Sequence, residues 1–176
     1  MNSRERVLAV LQGKLPDRVP LFELFIDPSV IQALQPGMSY EEFADYADLD
    51  VVSCLSMAES PERIHWVDRE RGIWRDKWGC LQGFTGEIMS VPLDPPRIRE
   101  LQDLASYEPP DPRDNEVLQA ARKLVERFKG RRAICVVGEE VFAVPQYLRA
   151  GLANVMMDYL LQPELARKLA DLARDY

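Results

Sequence analysis

Residues 17–27 read DRVPLFELFID, and the fold turns on how this stretch is understood. Pro16 and Pro20 bracket a turn, and Leu21, Phe22, Leu24, Phe25 and Ile26 follow almost without interruption. An apolar run of this length predicts a strand over about Val19 to Phe25, apolar on both faces as a parallel strand covered by helices would be. Glu23 interrupts the run and Asp27 ends it before Pro28. A carboxylate at the carboxyl end of a parallel strand stands where α/β proteins place their sites, so Glu23 and Asp27 are candidate pocket residues. The competing reading makes Asp27 a helix cap.

Working outward, Ser3 can cap a helix through Leu11, with Gly13 as its stop. Pro28 to Leu34 predicts a short helix broken by Pro36 and Gly37, and Ser39 with Glu42 has the spacing of a capping box. DLDVVSCLSM gives a second strand over about Asp50 to Leu55. Residues 62–93 change character: polar and apolar residues alternate around Arg71-Gly72, a hairpin signal, with Trp66, Trp74 and Trp78 expected to pack. A proline-rich connection holds one short helix near Ile98 to Leu104. Val117, Leu118, Ala121, Leu124, Val125 and Phe128 then lie on one helical face closed by Gly130. RAICVVGEE is a third strand, about 132–138, and Glu139 and Glu140 sit just past it, as Glu59 follows strand two. Helical segments run from about Val144 to Leu161, and Pro163 opens a last helix. Its Leu165, Leu169 and Leu172 are expected to lack cover. Strands alternating with helices predict a parallel sheet.

The 176 residues, 47% of them hydrophobic, are enough for a core. A net charge of -7 argues against nucleic acid or an anionic membrane as partner. No apolar run reaches the ~20 residues of a membrane span, and MNSRERVLAV has no long apolar signal region, so a cytoplasmic protein is expected. Cys54, Cys80 and Cys135 are widely spaced and read as reduced thiols. With His65 as the single histidine, the chain is expected to hold no zinc of its own.

SRERVLAVLQGKLPDRVPLFE at the start, DKWGC, PDP at 110–112, and LRAGLANVMMDYLLQPELARKL together resemble the uroporphyrinogen decarboxylase-like superfamily. The resemblance implies an α/β fold: the N-terminal half of a (β/α)8 barrel, with Ser3–Leu11 as the helix ahead of it. Strands 19–25, 50–55 and 132–138 would be its first strands and the hairpin at 63–84 an insertion, so that residues 1–176 form one incomplete domain. In that frame Glu23, Asp27 and Glu139 face the mouth as candidate catalytic groups, while Arg149 and Gly151 match an architectural helix position. The superfamily's decarboxylases resemble one another in an arginine-rich stretch after strand one, which grips substrate carboxylates. Here that position reads ELFIDPSVIQALQPG, without arginine. The resemblance therefore points to the methyltransferase branch, acting on a small-molecule substrate with zinc, a corrinoid and a corrinoid protein when full length. A porphyrinogen decarboxylase is the alternative. A half-barrel that self-associates through its open sheet edge, or binds a small ligand without catalysis, is the third reading.

Overall fold

The computed structural model describes residues 1–55, 64–84, 90–113, 116–138 and 140–176. The chain divides into two compact units, Met1–Ala58 with Glu116–Gly138 and Glu59–Asn115 with Glu139–Tyr176.

The first unit is built on two parallel strands, β1 (Val51–Leu55) and β6 (Ala133–Val137), in the register Val51↔Ala133 through Leu55↔Val137. This is the pairing expected of the second and third strands. Helix α5 (Glu116–Phe128) packs on both, burying Val117, Leu124 and Phe128 of the face read from its periodicity, while Leu118 and Val125 of that face are exposed. Leu124 and Phe128, with Ala44, Leu49 and Val52, form the core of this unit. Three short helices precede β1. α1 (Ser3–Leu11) is capped one residue earlier than expected, by Asn2 instead of Ser3: the Asn2 side chain accepts from the Glu5 amide and Glu5 answers at the Asn2 amide. α2 is Pro28–Leu34, and α3 (Tyr40–Tyr46) opens on the Ser39–Glu42 capping box.

The expected strand at 19–25 does not form: residues 19–27 are irregular, and Leu21, Phe22, Leu24 and Phe25 are all exposed. The segment still runs beside β1 in the same direction. The Leu21 carbonyl accepts from the amides of Asp50 (2.8 Å) and Val51 (3.4 Å), and the Leu24 carbonyl accepts from the Ser53 hydroxyl at 2.8 Å. Two local features stop it becoming a ladder. Pro20 has no N–H to give. The Ser53 amide, which a neighbouring strand would use, donates instead to the Tyr40 hydroxyl at 2.9 Å.

The second unit has an antiparallel meander of four strands in sequence order: β2 (His65–Asp68), β3 (Ile73–Arg75), β4 (Leu81–Phe84) and β5 (Ser90–Pro92). The expected hairpin is its first turn. Gly72 takes a positive φ of 66° there, which a β-carbon would resist. The sheet is separate from the β1–β6 pair, as expected of an insertion. Trp74 and Trp78 are buried, whereas Trp66 is exposed. Around the meander lie α4 (Leu101–Ala105), α6 (Ala143–Leu148), α7 (Leu152–Leu161) and α8 (Pro163–Asp175). Leu165 and Leu169 of α8 are fully buried with Trp78, Cys80, Ile98, Val144 and Leu148, so the face expected to lack cover is covered. The exposed apolar residues belong to α7 instead: Leu152, Met156, Met157, Tyr159, Leu160 and Leu161. The buried Arg149–Asp158 pair (2.5 and 2.8 Å) locks the corner between α6 and α7, with the Arg149 guanidinium also donating to the Ile98 carbonyl. Gly151 at φ 116° lets the chain turn there. Both residues are architectural, as expected.

Candidate functional site

At the carboxyl side of β1, the opening stretch is held by its backbone while its side chains face out. Ser53 binds the carbonyls of Glu23 and Leu24, and the Glu23 side chain is exposed. Asp27 is half-buried and its Oδ1 accepts from the Ser29 amide at 2.6 Å, so its immediate task is to cap α2, with Pro28 in the first turn. Glu23 and Asp27 share no hydrogen bond or ion pair. Glu139 lies outside the described residues, as does Glu59. The Glu140 carbonyl starts α6 by accepting from the amides of Ala143 and Val144, and its side chain is exposed. His65 is exposed on β2, opposite Arg75. Burial pushes the Cys54 thiol up, aided by Cys135, so Cys54 is no ready thiolate.

The strongest electrostatics stand at the other end of the strands. Asp50 immediately precedes β1 and is completely buried. It accepts from Arg6, from Arg18 Nη1 at 2.8 Å and from the Leu21 amide at 2.7 Å. Asp17 completes the arrangement, taking Arg6 Nε at 2.6 Å, Nη2 at 3.0 Å and the terminal amine at 3.0 Å. Burial pushes the Asp50 carboxyl up, but the Leu21 amide, Ser3 and the two guanidiniums prevail and hold it below the usual range. The Arg6 guanidinium and the terminal amine likewise depress Asp17. A second cluster pins the amino end of β6: Arg132 donates to Asp45 at 3.0 Å and to the Leu49 carbonyl, and Arg127 also donates to Asp45 at 3.0 Å.

These networks were not anticipated from the sequence. The spacing of Arg6 from Asp17 and Arg18 was visible, but its partner Asp50 is 44 residues beyond Arg6. Their chemistry is structural. Each guanidinium is paired with a carboxylate near the amino ends of the parallel strands, the end that in α/β architectures serves stability rather than catalysis.

The chain is thus a mixed α/β protein with a small parallel sheet and a separate antiparallel sheet, and the described strands close no barrel. No helix among the described residues is long and apolar enough to cross a membrane. Compared with models of protein families, with curated proteins and with solved structures, the sequence matches none.

Proposed function

We propose that this chain is the front part of a (β/α)8 barrel of the uroporphyrinogen decarboxylase type, whose complete form moves a methyl group between a corrinoid and a thiol. One observation carries the frame: the stretch at 21–24, β1 and β6 lie in that order and run in the same direction, with α5 packed on β1 and β6. A helix ahead of the first strand and an insertion after the second, as the resemblance requires, fit α1 and the meander.

The preference for methyl transfer over porphyrinogen decarboxylation rests on where the cations are. From Val19 to Glu62 there is no lysine, arginine or histidine, and Arg18 is spent on Asp48 and Asp50. The same stretch holds the carboxylates Glu23 and Asp27, and Glu139 follows β6 in the sequence. Carboxylates disfavour a polyanion and suit a cationic group or the movement of a proton. The described residues do not make a zinc centre: among them no three metal-ligating side chains stand together. Zinc and the corrinoid would be held by residues other than these.

The test uses the intact gene product with methylcobalamin and a thiol, followed by the change in corrinoid absorbance, with uroporphyrinogen assayed in parallel. Methyl transfer is expected, and Glu23→Gln, an exposed substitution, should lower turnover while leaving the melting temperature unchanged. Ordinary decarboxylation of uroporphyrinogen would sink the argument from the missing cations. Full turnover in Glu23→Gln and Glu139→Gln would leave those carboxylates with structural roles only. The exposed apolar side chains of α7 favour a second reading, in which the chain works by self-association; sedimentation of a concentration series separates the two.

A further inference from the structure

The second unit carries a feature unrelated to the barrel reading. A concavity of about 390 Å³ is lined by Arg75, Arg97 and Arg99, with Pro95, Pro96 and Asp103 among its walls. That volume is within the range of small-molecule sites. The geometry points to a binding site for a small organic polyanion, a molecule bearing two or more carboxylate or phosphate charges.

Three arginines in one concavity are unusual in a chain with seven more acidic than basic side chains. Elsewhere Arg6, Arg18, Arg113, Arg127, Arg132, Arg149 and Arg174 each take a carboxylate partner, while among the described residues Arg4, Arg69 and Arg122 take none but stand singly on the surface. Among the described residues Arg75, Arg97 and Arg99 take none. They are nevertheless positioned. Arg75 Nη1 donates to the Gly79 carbonyl. The Arg97 guanidinium lies 5.8 Å from the centre of the Tyr107 ring, and the Tyr107 hydroxyl is tied to the Trp78 carbonyl at 2.9 Å. Neither contact neutralises a guanidinium, so geometry is fixed while charge is left to spend.

The one carboxylate in the wall, Asp103, is coupled to Arg99 and offsets part of one of the three charges. Asp103 Oδ2 accepts the Arg99 amide at 2.7 Å and the Glu100 amide at 3.0 Å, and those two backbone N–H groups hold its carboxyl below the usual range. It is engaged as the third residue of α4, reaching back to the amide of the cap residue Glu100. Pro95 and Pro96 stiffen the opposite wall, since the proline ring fixes φ. A guanidinium fork pairs with carboxylate and phosphate alike, which sets the ligand chemistry at oxyanions rather than at one acid.

The test is calorimetric titration of the full chain at constant ionic strength with two probes, inorganic pyrophosphate and citrate, and with acetate as a monovalent control. Saturable binding of one or both probes at one site per chain is expected, with little response to acetate. Arg97 and Arg99 are exposed, so Arg97→Ala and Arg99→Ala should fold normally and each weaken binding about tenfold. Arg97→Lys and Arg99→Lys, which keep the charge and lose the fork, should weaken it less. Arg113→Ala, outside the concavity, should change nothing. Binding of pyrophosphate alone would assign phosphate, and of citrate alone carboxylate. Absence of saturable binding by both probes, or unchanged affinity in the Arg97→Ala/Arg99→Ala double variant, would overturn the site.

Discussion

Replacing Asp50 by asparagine tests whether the DRVP stretch marks architecture or chemistry. The substitution keeps size and one acceptor, so the Leu21 amide can still be answered. It removes the charge that Arg6 and Arg18 share, and turns an N–H₂ toward guanidinium donors. Asp50 is completely buried and Arg6 nearly so, so water cannot step in. Breaking a buried pair from one side costs about 3–5 kcal/mol. Against the 5–15 kcal/mol typical of a folded protein that is a large fraction, and at this chain length it lowers Tm by roughly 6–20 °C. The assay is thermal and urea unfolding by circular dichroism, parent against variant, repeated across pH. The folded Asp50 carboxyl is held below its unfolded value of about 3.9, so its contribution is complete above that pH and is lost as pH falls through the folded value. The difference between parent and variant should therefore be constant at neutral pH and shrink on acidification below about pH 4. A variant melting within about 2 °C of the parent at neutral pH would refute the structural role.

Arg149→Met should cost about 3–5 kcal/mol by stranding buried Asp158, and Arg149→Met with Asp158→Leu should recover part of it; urea midpoints decide. Asp27→Ala should lose about 1 kcal/mol as a cap and Asp27→Ser nearly nothing, so a large loss of turnover in Asp27→Ser would return Asp27 to the catalytic candidates. Burial pushes the Cys80 thiol far up, further raised by Asp76, so in the native protein Cys80 should react with Ellman's reagent far more slowly than Cys54 and Cys135; equal rates would contradict the packing.

What was legible in the sequence was mostly local. The Ser39–Glu42 box, Pro28 at the head of α2 and the stripe on α5 carry their signals within a turn or two of helix, and each element stands where those signals put it. The pairing of 50–55 with 132–138 was also legible, because a strand–helix–strand order leaves few other arrangements. The stretch at 19–25 was not, for a physical reason. Its composition says strand, but whether a ladder forms depends on its neighbour, and there the Ser53 amide is taken by Tyr40. The expectation that Glu23 faces a barrel mouth presumed that strand, and the Glu23 side chain is exposed on an irregular segment. The meander exceeds the expected hairpin by β4 and β5. The ion clusters joining Arg6 to Asp50 and Arg132 to Asp45 link residues 44 and 87 apart, beyond any spacing rule.

The β1–β6 pair also sets an order of events during synthesis. Cys54 and Cys135 sit on these paired strands yet lie 81 residues apart in sequence. At ribosomal speeds of about 5–20 residues per second, β1 waits roughly 4–16 s for its partner strand to be made. One of its edges need not stay open meanwhile. The Leu21 carbonyl, the Ser53 hydroxyl and Tyr40 all precede or belong to β1, so the nascent chain can close that side on its own. The other edge has no such guard until β6 arrives, and it is there that the emerging chain is open to non-native strand pairing.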